Sequence, residues 1–159
     1  MKKNPLKTAL VGGETIKTDE RINFFGAVDE LSSFVMELTH HIESEETKKT
    51  LKNIVATLSK IMGKVAGAAV DFGESQVVEM LGLIEKEKAQ TIPEKGFVTP
   101  GVTKLGAKTH VVRAVARRAE LSYAQVFAKY AGDELIFSYL NKLSTYLYYL
   151  ALKFDQQNQ

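Results

Sequence analysis

An all-α bundle of about five helices is the fold this sequence predicts, and three observations predict it. Apolar residues recur at steps of three and four through five long segments. The three prolines, Pro5, Pro93 and Pro100, all fall outside those segments, as uninterrupted helices require. Alternating runs bounded by turn residues are absent apart from an extended piece around Ala9 to Val11.

The first stripe is Phe24, Val28, Leu31, Val35, Leu38 and Ile42, one face of an amphipathic helix. A second runs Leu51, Ile54, Val55, Leu58, Ile61, Met62, Val65 and Ala69, with Gly73 expected as its left-handed C-terminal cap. Ser75 then serves as the expected N-cap of a shorter helix carrying Val78, Leu81 and Ile84, and the charged run Glu85 to Lys88 is expected to be its solvated face. Thr91 to Val102 holds Pro93, Pro100, Gly96 and Gly101 and reads as a turn-rich connection, in which the large apolar Phe97 marks a functional or packed loop. Val112, Val115, Ala119, Tyr123 and Val126 define the fourth helix. Leu135, Tyr139, Leu143, Leu147, Leu150 and Phe154 define the fifth, with Gly132 and Asp133 separating the two. The polar tail Asp155 to Gln159 is expected to fray. One helical domain over 1–159, with its helical core at about 22–154, accommodates all five segments.

With 159 residues and 45% hydrophobic content, the chain has material for one ordinary core and too little for two. Twenty-one Lys and Arg against nineteen Asp and Glu give a net charge of +2, too small to make nucleic acid the default partner. No cysteine is present, so disulfides and thiolate metal sites are excluded, and a reducing cytoplasm suits the composition. The apolar stretch Leu135 to Phe154 is broken by Asn141, Lys142, Ser144 and Thr145, short of the roughly 20 apolar residues of a membrane span. Neither a membrane nor an export signal is expected.

Chemistry concentrates on the fourth helix. His110, Arg113, Arg117 and Glu120 follow at steps of three, four and three, so they share one face. Two guanidiniums one turn apart suit phosphate oxygens, and a carboxylate one turn beyond can orient a guanidinium or accept from a ligand hydroxyl. The same pattern also describes a solvated face laced with ion pairs. Asp29, Ser32 and Ser33 on the first helix, and Ser138, Asn141 and Thr145 on the fifth, form two further narrow polar seams, which either bond to one another or line a cleft. Gly12 and Gly13 precede Glu14 and Thr15 without the Gly-Lys-Ser/Thr ending of a Walker loop. His40 and His41 lack partners at ligand spacing, so no protein-ligated metal is expected.

Four motifs, in order, resemble the PduO-type ATP:cob(I)alamin adenosyltransferases. They are Gly26-Ala27-Val28-Asp29-Glu30-Leu31-Ser32-Ser33, Phe97-Val98-Thr99-Pro100-Gly101, His110 through Glu120, and Tyr139-Leu140-Asn141-Lys142-Leu143-Ser144. The resemblance spans about Gly13 to Lys153 and implies a ferritin-like five-helix bundle, a homotrimer and active sites at subunit interfaces. The implied reaction moves the 5′-deoxyadenosyl group of ATP to the cobalt of cob(I)alamin, with Mg²⁺ bridging phosphates and adenosylcobalamin and triphosphate as products.

Carried over residue by residue, Lys17, Arg117, Glu120, Asn141 and Lys142 match positions that hold ATP. Asp29 and Arg113 match an ion pair between helices that shapes the site, and Phe97 matches an aromatic on the lower face of the corrin. A cobalamin reductase or a B12-dependent enzyme is the implied protein partner. Departures are local. The Thr-Lys-Thr-Gly-Asp-x-Gly segment that wraps the triphosphate in relatives is represented only by Lys7, Thr8 and the Gly12-Gly13 pair. Lys142, Thr145, Leu121 and Val102 stand where the family pattern has Arg, Asp, Arg and Gly, and Ser32 where many relatives have Asn. Weakened ATP affinity is the expectation, and a non-catalytic relative that binds corrinoid or nucleotide is the alternative. A helical nucleic-acid binder is the third reading.

Overall fold

A computed structural model of the chain describes residues 3–157. Five helices follow a small hairpin: α1 Glu20–Thr39, α2 Glu45–Ala66, α3 Glu74–Ala89, α4 Lys104–Tyr130 and α5 Glu134–Gln157. Adjacent pairs pack α3 on α5, α5 on α4, α4 on α1 and α1 on α2, so α4 lies at the middle of the layer. The stripes read from the sequence account for most of the packing: Phe24, Val28, Leu31 and Val35 of α1, Leu51 and Leu58 of α2, Val112 and Ala119 of α4 and Leu143, Leu147 and Leu150 of α5 share one core. Burial of these side chains, each stabilising by about 1.5–3 kcal/mol, is what holds helices of modest intrinsic propensity in place.

The hairpin, β1 Lys7–Leu10 and β2 Gly13–Ile16, is antiparallel with Leu10 opposite Gly13. Only the piece around Ala9 to Val11 was expected to be extended. Strands of four largely exposed residues carry too little apolar alternation to be read, and the two-residue turn rests on Gly12 at φ +79°. Asp19 ties the hairpin to the bundle. Its buried carboxylate accepts from Thr15 Oγ1 at 2.7 Å, Arg21 at 2.7 Å and Tyr130 Oη at 3.0 Å, and the Arg21 guanidinium leads the effects that hold its pKa far below the usual carboxylate range.

Five local expectations are corrected. Helix α2 stops at Ala66, where Gly67 takes the left-handed cap at φ +97°, seven residues before the alanine- and valine-rich sequence ends at Gly73. Gly73 is the N-cap of α3, in place of Ser75, and its N–H donates to Gln76 Oε1 at 2.7 Å. The inward face of α3 is Val77, Met80, Ile84 and Glu87, leaving Val78 and Leu81 exposed. Glu87 is therefore not solvated; it is buried against the equally buried Lys153 of α5. The tail does not fray through Asp155, which is 3% exposed inside the last turn of α5; Asn158 and Gln159 lie outside the described residues.

Candidate functional site

Two polar seams run along opposite flanks of α4. On the α5 flank, Glu120 Oε1 accepts from Asn141 Nδ2 at 3.2 Å. One and two turns earlier on α4, Arg117 is exposed and makes no hydrogen bond or ion pair among the described residues, and Arg113 lies with its guanidinium carbon 5.6 Å from the Tyr148 ring centroid. Arg113 Nε is buried without a hydrogen-bond partner. Burial, then repulsion from Arg117, pulls its pKa below the usual arginine value, although a guanidinium stays charged through such a shift. At the start of α4, His110 Nε2 faces Asp155 Oδ2 at 3.9 Å. The sequence spacing of three, four and three thus delivers one face, and α5 is the surface it meets.

Lys142 follows Asn141 on α5, with Nζ donating to Ser138 Oγ at 3.0 Å one turn back on its own helix. A single ammonium tethered this way supplies a point charge where a guanidinium would supply a fork. Thr145 Oγ1 donates back to the Asn141 carbonyl at 3.3 Å on its own helix.

On the α1 flank, Lys17 lines a groove of about 490 Å³ with Asn23, Gly26, Glu30, Arg118 and Ser122. Arg118 pairs with Glu30 across it. Lys17 therefore does not share a cleft with Arg117, Glu120 and Asn141. Asp29 is exposed and forms no ion pair among the described residues, so the expected Asp29–Arg113 contact is not made within one chain. The reason is directional: Arg113 turns to α5, whereas the α4 cations that meet α1 are Lys108, Arg118 and Lys129, on Glu37, Glu30 and Glu20. Ser32 Oγ is buried without a partner.

Phe97 stands in the connection between α3 and α4, 99% exposed. An aromatic ring held in water contributes no burial to the fold. Tyr148 escaped the sequence reading, although Asn141, Thr145 and Tyr148 continue the same steps of four and three. Asp155 escaped because a terminal acidic residue reads as tail.

The family model for cobalamin adenosyltransferase matches residues 4–154. The chain belongs to the cobalamin adenosyltransferase family. It is 29% identical over 150 residues to the corrinoid adenosyltransferase of Bacillus subtilis (strain 168), covering 89% of this chain and 78% of that protein. With the corrinoid adenosyltransferase MMAB of Mus musculus it shares 30% over 168 residues, 96% of this chain and 71% of that one. A variant of the PduO-type ATP:corrinoid adenosyltransferase of Lactobacillus reuteri, complexed with cobalamin and ATP, superposes with a TM-score of 0.90 at 25% identity, over 97% of this chain and 91% of that one. A second variant of the Lactobacillus reuteri protein, complexed with ATP, gives 0.89 at 26% identity over the same shares of the two chains. The helical bundle is thus the family's, and the α4 face that carries Arg113, Arg117 and Glu120 belongs to an adenosyltransferase scaffold.

Proposed function

We propose that this chain transfers the 5′-deoxyadenosyl group of ATP to the cobalt of cob(I)alamin. The observation that carries the reading is the α4–α5 flank, where Arg117, without an ion pair among the described residues, stands beside the bonded Glu120–Asn141 pair in a chain of adenosyltransferase family. The electron pair of Co(I) attacks C5′ of ATP, the C5′–O bond breaks, and triphosphate leaves with that bond's electrons. Arg117 and Lys142 meet the triphosphate charge, Glu120 and Asn141 hold the nucleoside by its hydroxyl and amine groups, and Mg²⁺, when bound with ATP, would neutralise part of the phosphate charge. Among the described residues no group of three His, Cys, Asp or Glu could hold a metal.

The site is completed by a second copy of the chain. Lys17 and Asp29 lie on the α1 side and Arg113, Arg117 and Asn141 on the α5 side, so a homotrimer that apposes the two flanks would give Asp29 its Arg113 and ATP its Lys17. Phe97 would lie under the corrin, excluding the axial base and making the cobalt easier to reduce. Supply of Co(I) requires a reducing compartment, for which the cytoplasm is the proposed location, and a cobalamin reductase is the natural donor. No helix among the described residues is long and apolar enough to cross a membrane. The whole chain is taken as one catalytic domain.

An anaerobic assay of ATP with chemically reduced cobalamin, following formation of the cobalt–carbon bond, tests the reaction; ATP and corrinoid binding without that bond would establish the non-catalytic alternative, which the tethering of Lys142 to Ser138 favours. Sedimentation equilibrium tests assembly, with a monomer at micromolar concentration as the opposing result.

A further inference from the structure

We infer that Asp155 and Gln156, in the last turn of α5, are positioning residues that set where Phe97 stands. The inference rests on the corrinoid role proposed for Phe97. Among the described residues, every hydrogen bond made by the segment 92–102 ends on one of these two side chains. Gln156 holds the first foot of the loop with both ends of its amide: Oε1 accepts from Ile92 N at 2.9 Å and Nε2 donates to Ile92 O at 2.9 Å. Asp155 holds the second foot. Its carboxylate accepts from Gly101 N at 3.2 Å, Thr103 N at 3.0 Å and Thr103 Oγ1 at 2.8 Å.

The surroundings are shaped for that grip. A Cβ on Gly106 would lie 1.8 Å from Asp155 Oδ1, so only glycine at this position admits the carboxylate against the first turn of α4. Thr103 Oγ1, itself bonded to Asp155, caps that turn through Gly106 N at 3.0 Å. One side chain therefore fixes the start of α4 and the end of the loop together, and its neighbour fixes the loop's beginning. Between the feet, Pro93 and Pro100 restrict the backbone, and Phe97 is carried at the middle of the arch. A cleft of about 250 Å³ remains between Phe97, Val98 and Leu152, with Asp155 and Gln156 at its base.

Gln156 separates loop placement from folding, because its bonds to Ile92 are exposed and exposed bonds contribute little to global stability. The chain contains no tryptophan, so Lys95→Trp places a single fluorophore on the arch and leaves Phe97 in place. In this background Gln156→Ala is expected to speed the local component of the fluorescence anisotropy decay. In the otherwise unchanged protein it is expected to raise the KM for cob(I)alamin about threefold to tenfold, the loss of roughly one hydrogen bond's worth of placement. The KM for ATP and the melting temperature should not move, and Gln156→Glu, which keeps the acceptor and loses the donor, should fall between.

An unchanged anisotropy decay overturns the proposal, and so does a loosened loop with unchanged corrinoid kinetics. Phe97→Ala tells the two readings apart. If that variant alters corrinoid kinetics while Gln156→Ala does not, only the anchoring role has failed; if neither does, the Phe97 assignment has failed and takes the anchoring role with it.

Discussion

Asn141 donates to Glu120 across 3.2 Å, joining α4 to α5 between two residues proposed to hold the same nucleotide. The bond is exposed, so it orients both groups more than it stabilises the bundle. Glu120→Ala and Asn141→Ala are each expected to weaken ATP binding about tenfold, and the double variant to lose less than the product of the two, because each single change already frees the partner. Calorimetric titration of the four proteins measures this, and strict additivity would remove the coupling.

Arg117 is exposed on the α4 face and makes no ion pair among the described residues, and a desolvated charge-assisted bond contributes about 1.5–3 kcal/mol. Arg117→Ala is expected to take ATP binding below calorimetric detection, from a wild-type affinity that the single ammonium of Lys142 is expected to leave weaker than a guanidinium fork would. Tight binding that survives the substitution would sink the residue's assignment.

Phe97→Ala should leave the melting temperature unchanged, since a ring that is 99% exposed has no burial to lose. Adenosylation should slow, and the spectrum of bound cobalamin should lose its base-off character. An unaltered spectrum and rate would take Phe97 out of the site.

Acid should weaken the fold through His110. Burial is the main cause that pushes its imidazole pKa below the usual histidine value, with Arg113 pushing the same way and Asp155 opposing. An unfolded histidine titrates near 6.5, so below about pH 6.5 the unfolded chain takes up the proton first. Stability from neutral His110 is thus present above that pH and is lost as pH falls toward the depressed folded value. Urea unfolding at successive pH values should show a downward slope there that His110→Gln flattens; equal slopes in the two proteins would contradict it.

Lys153→Met strands the buried Glu87 carboxylate and is expected to cost about 3–5 kcal/mol, whereas Glu87→Leu combined with Lys153→Met should recover most of that loss. Denaturant midpoints decide, and a single variant as stable as the wild type would show that water reaches the pair.

By itself the sequence determined the five helices, most of their inward faces and the shared face of His110, Arg113, Arg117 and Glu120. Each follows from spacing within one segment, and a 3.6-residue period is a local property of the chain. The tertiary structure decided what those local faces meet. Glu87, in a charged run that reads as solvated, is buried because Lys153, 66 positions later, reaches it across the α3–α5 contact. Asp155 reads as tail and serves as an anchor because Gly106 leaves room for a carboxylate that no period in α5 announces. Arg113 and Asp29, matched as a pair by motif, lie on different flanks because α4 offers one side to α5 and another to α1. Burial, ion pairing and the two-flank division of the site depend on distances between segments far apart in the chain, and those distances exist only once the helices have packed.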